Sequence, residues 1–235
     1  METNTQKLQG RWYVDQTQTV AQHCKRLYMV RHGETILNQE NRSQPPDTEL
    51  SARGCSQANA LAQRFVNIDF DRIVTSDLTR AEATAKSIAL MTSREMVHMP
   101  LLREVKRPSE IVGKRWNDTS VLDVRKAMRA HEYDHRWHYS DEENIFDLYA
   151  RAREAVRFLT ERSESNLVVV SHAVFIRMFF CALVTNDEAS GLAMYGMIRF
   201  SMHLDNAAIC IFEHSETDGD TRWRVRAWND CGHLF

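Results

Sequence analysis

Leu27-Tyr28-Met29-Val30-Arg31-His32-Gly33-Glu34-Thr35 is the stretch on which the fold of this chain turns. Four apolar residues form a short strand. The loop after them delivers an arginine and a histidine to the strand's C-terminal end. In an open α/β sheet, ligands bind at that edge. Gly33 lets the backbone come close to whatever sits there. A second stretch repeats the device. Asn166-Leu167-Val168-Val169-Val170 is apolar, and Ser171-His172 ends it. Two strands each hand a histidine to one edge.

Working outward, Ile73-Val74-Thr75 reads as another strand, with Ser76 placed to cap a helix over about 77–91. Thr48-Glu49-Leu50-Ser51 opens an earlier helix, with Leu50, Ala58, Leu61, Ala62 and Phe65 as its buried stripe. Residues 96–101 read as a third strand. Residues 103 to about 142 break the rhythm with Pro108, Gly113, Trp116, Trp137 and three histidines, and read as an insertion over the strand ends. A helix over about 143–163 leads back to the strand at 167–170, and 173–184 reads as a buried helix. The end of the chain changes character. Residues 198–204, 207–212 and 222–228 are strand-like, and Asp218-Gly219 suits a hairpin turn. The expected fold is a three-layer α/β/α sandwich around a mixed, mostly parallel sheet, with a small inserted cap at about 103–142. Residues 1–24 read as a flexible extension, with Trp12-Tyr13-Val14 able to pin part of it, and 25–235 as one domain.

The chain has 235 residues, is 43% hydrophobic and carries a formal net charge of -2. That supports one sizeable core and gives no long-range field for nucleic acid or anionic lipid. Cys24, Cys55, Cys181, Cys210 and Cys231 are scattered and form no C-x-x-C pair, which favours a reducing compartment over a disulfide framework. No apolar signal-like segment or membrane-length run is visible. A cytoplasmic protein with no membrane or nucleic-acid partner is expected, with self-association left open.

The chemistry centres on His32. A neutral imidazole can attack phosphorus and split one hard displacement into two easier ones. Adjacent Arg31 disfavours the imidazolium. Arg80 follows a strand within the first turns of a helix, where a cation opposes the macrodipole and a grip on an anion would explain it. His172 is a candidate electrostatic partner for a transferring phosphoryl group.

These residues resemble the signature of the histidine phosphatase superfamily, in its phosphoglycerate mutase-like branch. The match runs through Arg31-His32-Gly33-Glu34-Thr35, Asn38 and Arg42, then Leu50, Gly54 and Gln57-Ala58. It continues through Ser76-Asp77-Leu78-Thr79-Arg80-Ala81 with Thr84, and ends at Ser171-His172. The resemblance implies that His32 is the phosphorylated nucleophile, and that Arg31, Arg80 and His172 surround the phosphate. It makes Asn38 a pocket-edge contact and Glu104 the general acid. It implies no metal or organic cofactor.

The pattern also departs from the family. Glu104 runs into Val105-Lys106-Arg107-Pro108-Ser109-Glu110 where a Gly-aromatic-Glu-Gly stretch is common, so Glu110 is a second candidate acid. Ala173-Val174 follows His172 where glycine is common, and Pro45 follows Gln44 where glycine is usual. Residues 103–138 hold nine Lys or Arg against six Asp or Glu. Within that excess, Lys106, Arg107, Lys114 and Arg115 stand nearest the acid, and Gln44, Lys106 and Arg107 are the substrate contacts expected. His131, His135 and His138 have a spacing that one helical face could present to a metal, without clear acidic ligands beside them. The expected activity is hydrolysis of a small phosphorylated molecule. Mutase-type phosphoryl transfer and an inactive phospho-ligand-binding module are the alternatives.

Overall fold

A computed structural model of the chain describes residues 24–217 and 220–235. Residues 1–23 of the extension expected over 1–24, and the Asp218-Gly219 turn, lie outside the described residues, whereas Cys24 begins a strand.

Six strands form one sheet. They are β1 (Cys24–Arg31), β2 (Arg72–Thr75), β3 (Met96–His98), β4 (Asn166–Ser171), β5 (Ile209–Thr217) and β6 (Asp220–Asp230). Their order is β3-β2-β4-β1-β5-β6. The pairs β2–β3, β2–β4 and β1–β4 are parallel, whereas β5 pairs antiparallel with both β1 and β6. The sheet is therefore mixed and mostly parallel, as expected.

Alternation along the strands divides the interior into two cores. In β1, Leu27 and Met29 face one side, and Tyr28 and Val30 the other. In β4, Leu167 and Val169 join the first pair, and Val168 and Val170 the second. The first face packs against α5 (Ile145–Glu161), α6 (Ala173–Val184) and α7 (Glu188–Ile198) through Leu148, Leu159, Phe175, Phe179 and Leu192. The second packs against α2 (Ala52–Phe65) and α3 (Thr79–Thr92) through Leu61, Phe65, Ala81 and Ile88. Helices thus flank both faces. Each large apolar side chain fully buried this way contributes roughly 1.5–3 kcal/mol.

Several boundaries differ from expectation. Ser51, whose side chain accepts from Gly54 N, is the N-cap of α2. Leu50 lies before it, bridged to Thr35 and off the buried stripe. Ser76 does not cap α3. The N-cap is Leu78, whose N–H donates to Ser76 Oγ at 3.3 Å, and the same hydroxyl meets His172 Nε2. β3 stops at His98 because Pro100, which lacks an N–H, starts a 3-10 turn. Residues 198–204 are not a strand: Ile198 closes α7, and Ser201 and Met202 N–H groups bond back to its carbonyl.

Two short elements complete the chain. α1 (Ile36–Gln39) carries a capping box made by Thr35 and Asn38. α4 (Thr119–Ala130) is a helix that the irregular composition of 103–142 concealed. Its Val121 and Val124 form a small separate core with Ile111, Trp116 and Met128. α4 ends at Ala130, so His131, His135 and His138 share no helical face. They stack on Trp137, lie against Phe146 and bond Asp147, respectively.

Candidate active site

The register of the two central strands builds the site. β1 and β4 run parallel with Arg31 opposite Ser171, so His32 and His172 emerge side by side one residue later. His32 N–H donates to Ser171 O at 3.0 Å, and Ser76 N–H donates to Val170 O at 2.9 Å. Three neighbouring strand ends thus present His32, His172 and Ser76 at one edge. The two imidazole centroids are 5.1 Å apart, tilted by 55°.

His32 is 3% exposed. Its Nδ1 lies 2.7 Å from Gly33 O. A carbonyl only accepts, so Nδ1 carries the proton and Nε2 presents a bare lone pair. Burial, then the Arg80 and Arg31 cations, hold the ring well below its ordinary 6.5. It is a neutral imidazole beside two positive charges.

Arg80 is buried and Arg31 half-buried. Arg80 is 3% exposed, and desolvation with Arg31 nearby pushes it down to about 10. Arg31 is likewise pushed down to about 10, by burial and the like charge of Arg177. Each guanidinium anchors one Nη1 on a carbonyl: Arg31 on Leu204 O at 2.6 Å, Arg80 on Pro45 O at 3.2 Å. Neither has a carboxylate ion pair among the described residues. Burying unpaired cations is costly, and such a pair suits an anionic ligand that compensates them.

His172 is fully buried and is the N-cap residue of α6. Its Nε2 lies 2.9 Å from Ser76 Oγ. Its Nδ1 is buried with no hydrogen-bond partner. Burial, then Arg80, His32 and Arg31, hold this ring well below 6.5 as well.

Glu104 sits across the edge. Its Oε1 accepts from Val105 N and Phe175 N, each at 3.0 Å, and its Oε2 accepts from Val174 N at 3.2 Å. The first turn of α6 therefore holds the carboxyl in place. Its charge acts on both Arg31 and Arg80. Glu110 is exposed on a separate 3-10 turn and bonds Tyr139. The structure groups Glu104, not Glu110, with Arg31 and Arg80.

The loop after β1 is clamped from several directions. Gly33 N–H donates to Thr84 Oγ1 at 3.0 Å, and that hydroxyl donates to Arg80 O at 2.8 Å. Glu34 N–H donates to Gln57 Oε1 at 2.8 Å. A Cβ at Gly33 would lie 2.6 Å from Gly54 O, and one at Gly54 would lie 1.9 Å from Glu34 O. Only glycine fits either place. Asn38 Oδ1 accepts from Thr35 N at 3.1 Å and from Asn206 Nδ2 at 3.3 Å. Asn206 also donates to His32 O at 3.1 Å, a brace that no pattern in the sequence announced.

The remaining expected contacts separate. Gln44 Oε1 is buried without a partner. Arg107 lies over the Trp116 ring at 5.7 Å and lines a cavity of about 230 Å³ that also borders Val174 and Arg177. Lys106 is exposed and pairs with Asp141 at 3.2 Å, away from the histidines. Lys114 reaches Ser120 and Arg115 reaches Glu40 O, so neither stands beside Glu104. No group of three or more His, Cys, Asp or Glu able to hold a metal ion exists among the described residues. Cys55, Cys181, Cys210 and Cys231 are free thiols. No helix among the described residues is long and apolar enough to cross a membrane.

Comparison with known proteins gives the family. The model of the histidine phosphatase superfamily, branch 1, matches residues 27–231, and the chain belongs to that superfamily. A Yersinia pestis (strain Pestoides F) protein named "Probable phosphoglycerate mutase GpmB" is 43% identical over 220 residues, covering 88% of this chain and 94% of its own length. "Phosphoserine phosphatase 1" of Hydrogenobacter thermophilus is 31% identical over 198 residues, covering 81% and 87%. A solved mycobacterial glucosyl-3-phosphoglycerate phosphatase in complex with VO3 superposes with a TM-score of 0.70 at 28% identity, over 87% of this chain and 99% of that one. Its relatives thus include both phosphatases and proteins named as mutases.

Proposed function

We propose that this chain is a phosphomonoester hydrolase that works through a phosphohistidine on His32. The observation that carries the reading is the bare Nε2 of a buried, neutral His32 facing His172 at 5.1 Å, beside a buried Arg80 and a half-buried Arg31 without ion-pair partners among the described residues. Arg31, Arg80 and His172 hold the phosphoryl oxygens and stabilise the charge that spreads over them. Asn38 braces the pocket edge, and Gln44 and Arg107 line the approach for the rest of the substrate. Segment 103–142 acts as the cap. Lys106 belongs to its surface.

The lone pair of His32 Nε2 forms the N–P bond as the P–O ester bond breaks. The departing oxygen takes a proton from Glu104. The Glu104 carboxylate then takes a proton from water, whose oxygen bonds phosphorus while the N–P bond breaks. Phosphate leaves, and His32 and Glu104 return to their starting forms. Every proton and electron pair in this cycle is handled by side chains and water.

The deciding experiment incubates the protein with a panel of small phosphorylated metabolites and measures free phosphate and positional isomers together. Phosphate release with labelled phosphate trapped on His32 in quenched enzyme is expected. Isomer without free phosphate would make the chain a mutase. Binding without either product would make it a phospho-ligand module.

A further inference from the structure

Ser76 and His172 are both fully buried, so every polar hydrogen they carry needs a partner inside the protein. Ser76 Oγ accepts the Leu78 N–H at 3.3 Å and lies 2.9 Å from His172 Nε2, with no other hydrogen-bond partner among the described residues. An amide nitrogen cannot accept. The one acceptor left for the Ser76 O–H is therefore His172 Nε2. The alternative, in which Nε2–H donates to Oγ, leaves the hydroxyl hydrogen buried with nothing to meet, a costly orphan. Burial and the Arg80 cation keep the ring neutral, so it carries a single N–H. With Nε2 accepting, that N–H is on Nδ1. Nδ1 is itself buried and has no hydrogen-bond partner among the described residues. Ser76 N–H is tied to Val170 O at 2.9 Å, two residues before His172. The strand register that delivers the ring thus delivers the hydroxyl as well.

The two histidines are then complementary. His32 gives its Nδ1–H to Gly33 O and keeps Nε2 bare, whereas His172 has Nε2 filled and Nδ1–H unused, with 5.1 Å between the rings. The oxygens of a phosphoryl dianion only accept. Nδ1–H suits one of them, while a bare Nδ1 would set lone pair against lone pair. We propose that Ser76 is a positioning residue, whose O–H, donated to Nε2, fixes the tautomer in which His172 offers Nδ1–H to a phosphoryl oxygen. Ser76 itself makes no contact with the substrate. This deepens the hydrolase reading and rests on it for the place of the phosphoryl group.

Nitrogen NMR of protein labelled at the histidine rings reads the tautomer without turnover. The His172 signals are assigned by their loss in His172→Asn. Wild-type protein, free and saturated with orthovanadate, should hold the His172 proton on Nδ1. In Ser76→Ala the proton should spread over both ring nitrogens. The kcat for p-nitrophenyl phosphate should fall by about 10- to 100-fold, with KM changed far less. Ser76→Thr, which keeps the O–H, should restore the Nδ1–H form. A second pair needs no change at Ser76. His172→Asn, whose amide nitrogen falls near the place of Nδ1, should retain more activity than His172→Gln, whose amide nitrogen falls near the place of Nε2. A wild-type proton on Nε2, a tautomer that Ser76→Ala leaves unchanged, or the reverse ranking of the His172 variants would overturn the proposal. So would an active enzyme whose kcat survives Ser76→Ala. Should Ser76→Ala fail to fold, the wild-type spectrum and the His172 pair decide. An Nδ1–H form that depends on Ser76, in a protein that releases no phosphate from any ester, would leave the hold of Ser76 on the ring standing and remove the hydrolase reading instead.

Discussion

The strand-end edge and the segment over 103–142 solve opposite problems with similar residues. At the edge, Arg80, His32 and His172 are withdrawn from water, Arg31 is half-buried, and all four are held by backbone carbonyls, a serine and one another. In the segment, Arg107, Arg125 and Arg129 remain partly or fully exposed and are held by a tryptophan and a separate small core. Burial makes the first group sensitive to every neighbour, because charges interact strongly where water is excluded. Exposure lets the second group vary without disturbing the fold. A reaction common to many substrates suits the first environment, and recognition of one substrate suits the second.

That contrast can be broken most sharply at His32. His32→Ala should lower hydrolysis of p-nitrophenyl phosphate by roughly 10⁴-fold or more, with an unchanged far-UV circular dichroism spectrum. Turnover within tenfold of wild type would remove the nucleophile from this residue. Next is Glu104→Gln, expected to slow hydrolysis of alkyl phosphates by about 10²- to 10⁴-fold. The loss should be smaller for p-nitrophenyl phosphate, whose leaving group needs little protonation. Glu110→Gln should do far less, and the reverse ranking would move the acid into the exposed turn.

Arg80→Gln sharpens the electrostatic half of the comparison. It removes a cation that keeps the proton off His32, so the His32 pKa should rise. The acid limb of the kcat/KM profile should then move to higher pH, with a rate loss of about 10²-fold at the plateau. An acid limb that stays in place would mean that Arg80 does not act on His32. Stability offers a fourth measurement. His32 and His172 titrate lower in the folded protein than their ordinary 6.5, so below about that pH the unfolded chain binds more protons. Their contribution is complete above 6.5 and is lost as the pH falls, by about 1.4 kcal/mol per pH unit for each ring. Urea titrations on the acid side of 6.5 should show this slope, and His172→Gln should reduce it. The smallest effect belongs to the segment. Lys106→Ala should change KM by no more than about twofold, since the pair with Asp141 is a surface one.

The edge was legible because each of its parts is a local pattern. An apolar run followed by Arg31-His32-Gly33, or by Ser171-His172, names a strand and its loop at once. The register that pairs Arg31 with Ser171 then follows from two parallel strands stopping together. Glu104 was legible by position, but its grip by the first turn of α6 depends on contacts some 70 residues apart. Ser76 was read as the cap of α3 because a serine ahead of a helix usually caps it, and its hydroxyl does accept the N–H of the N-cap residue Leu78. Here the ring of His172, delivered by a distant strand, competes for that hydroxyl. The segment was least legible. α4 has only a narrow apolar stripe, and the histidines after it follow turns that their spacing did not reveal.

Gly33 and Gly54 interlock so tightly that neither tolerates one added carbon. α2 therefore acts as a template against which the loop carrying His32 is cast. A mutation at position 54, on a helix that supplies none of the residues proposed for the reaction, would deform the loop and mimic damage to the chemistry itself. Variants in that helix should be sorted by backbone displacement before any enzymatic role is assigned to them.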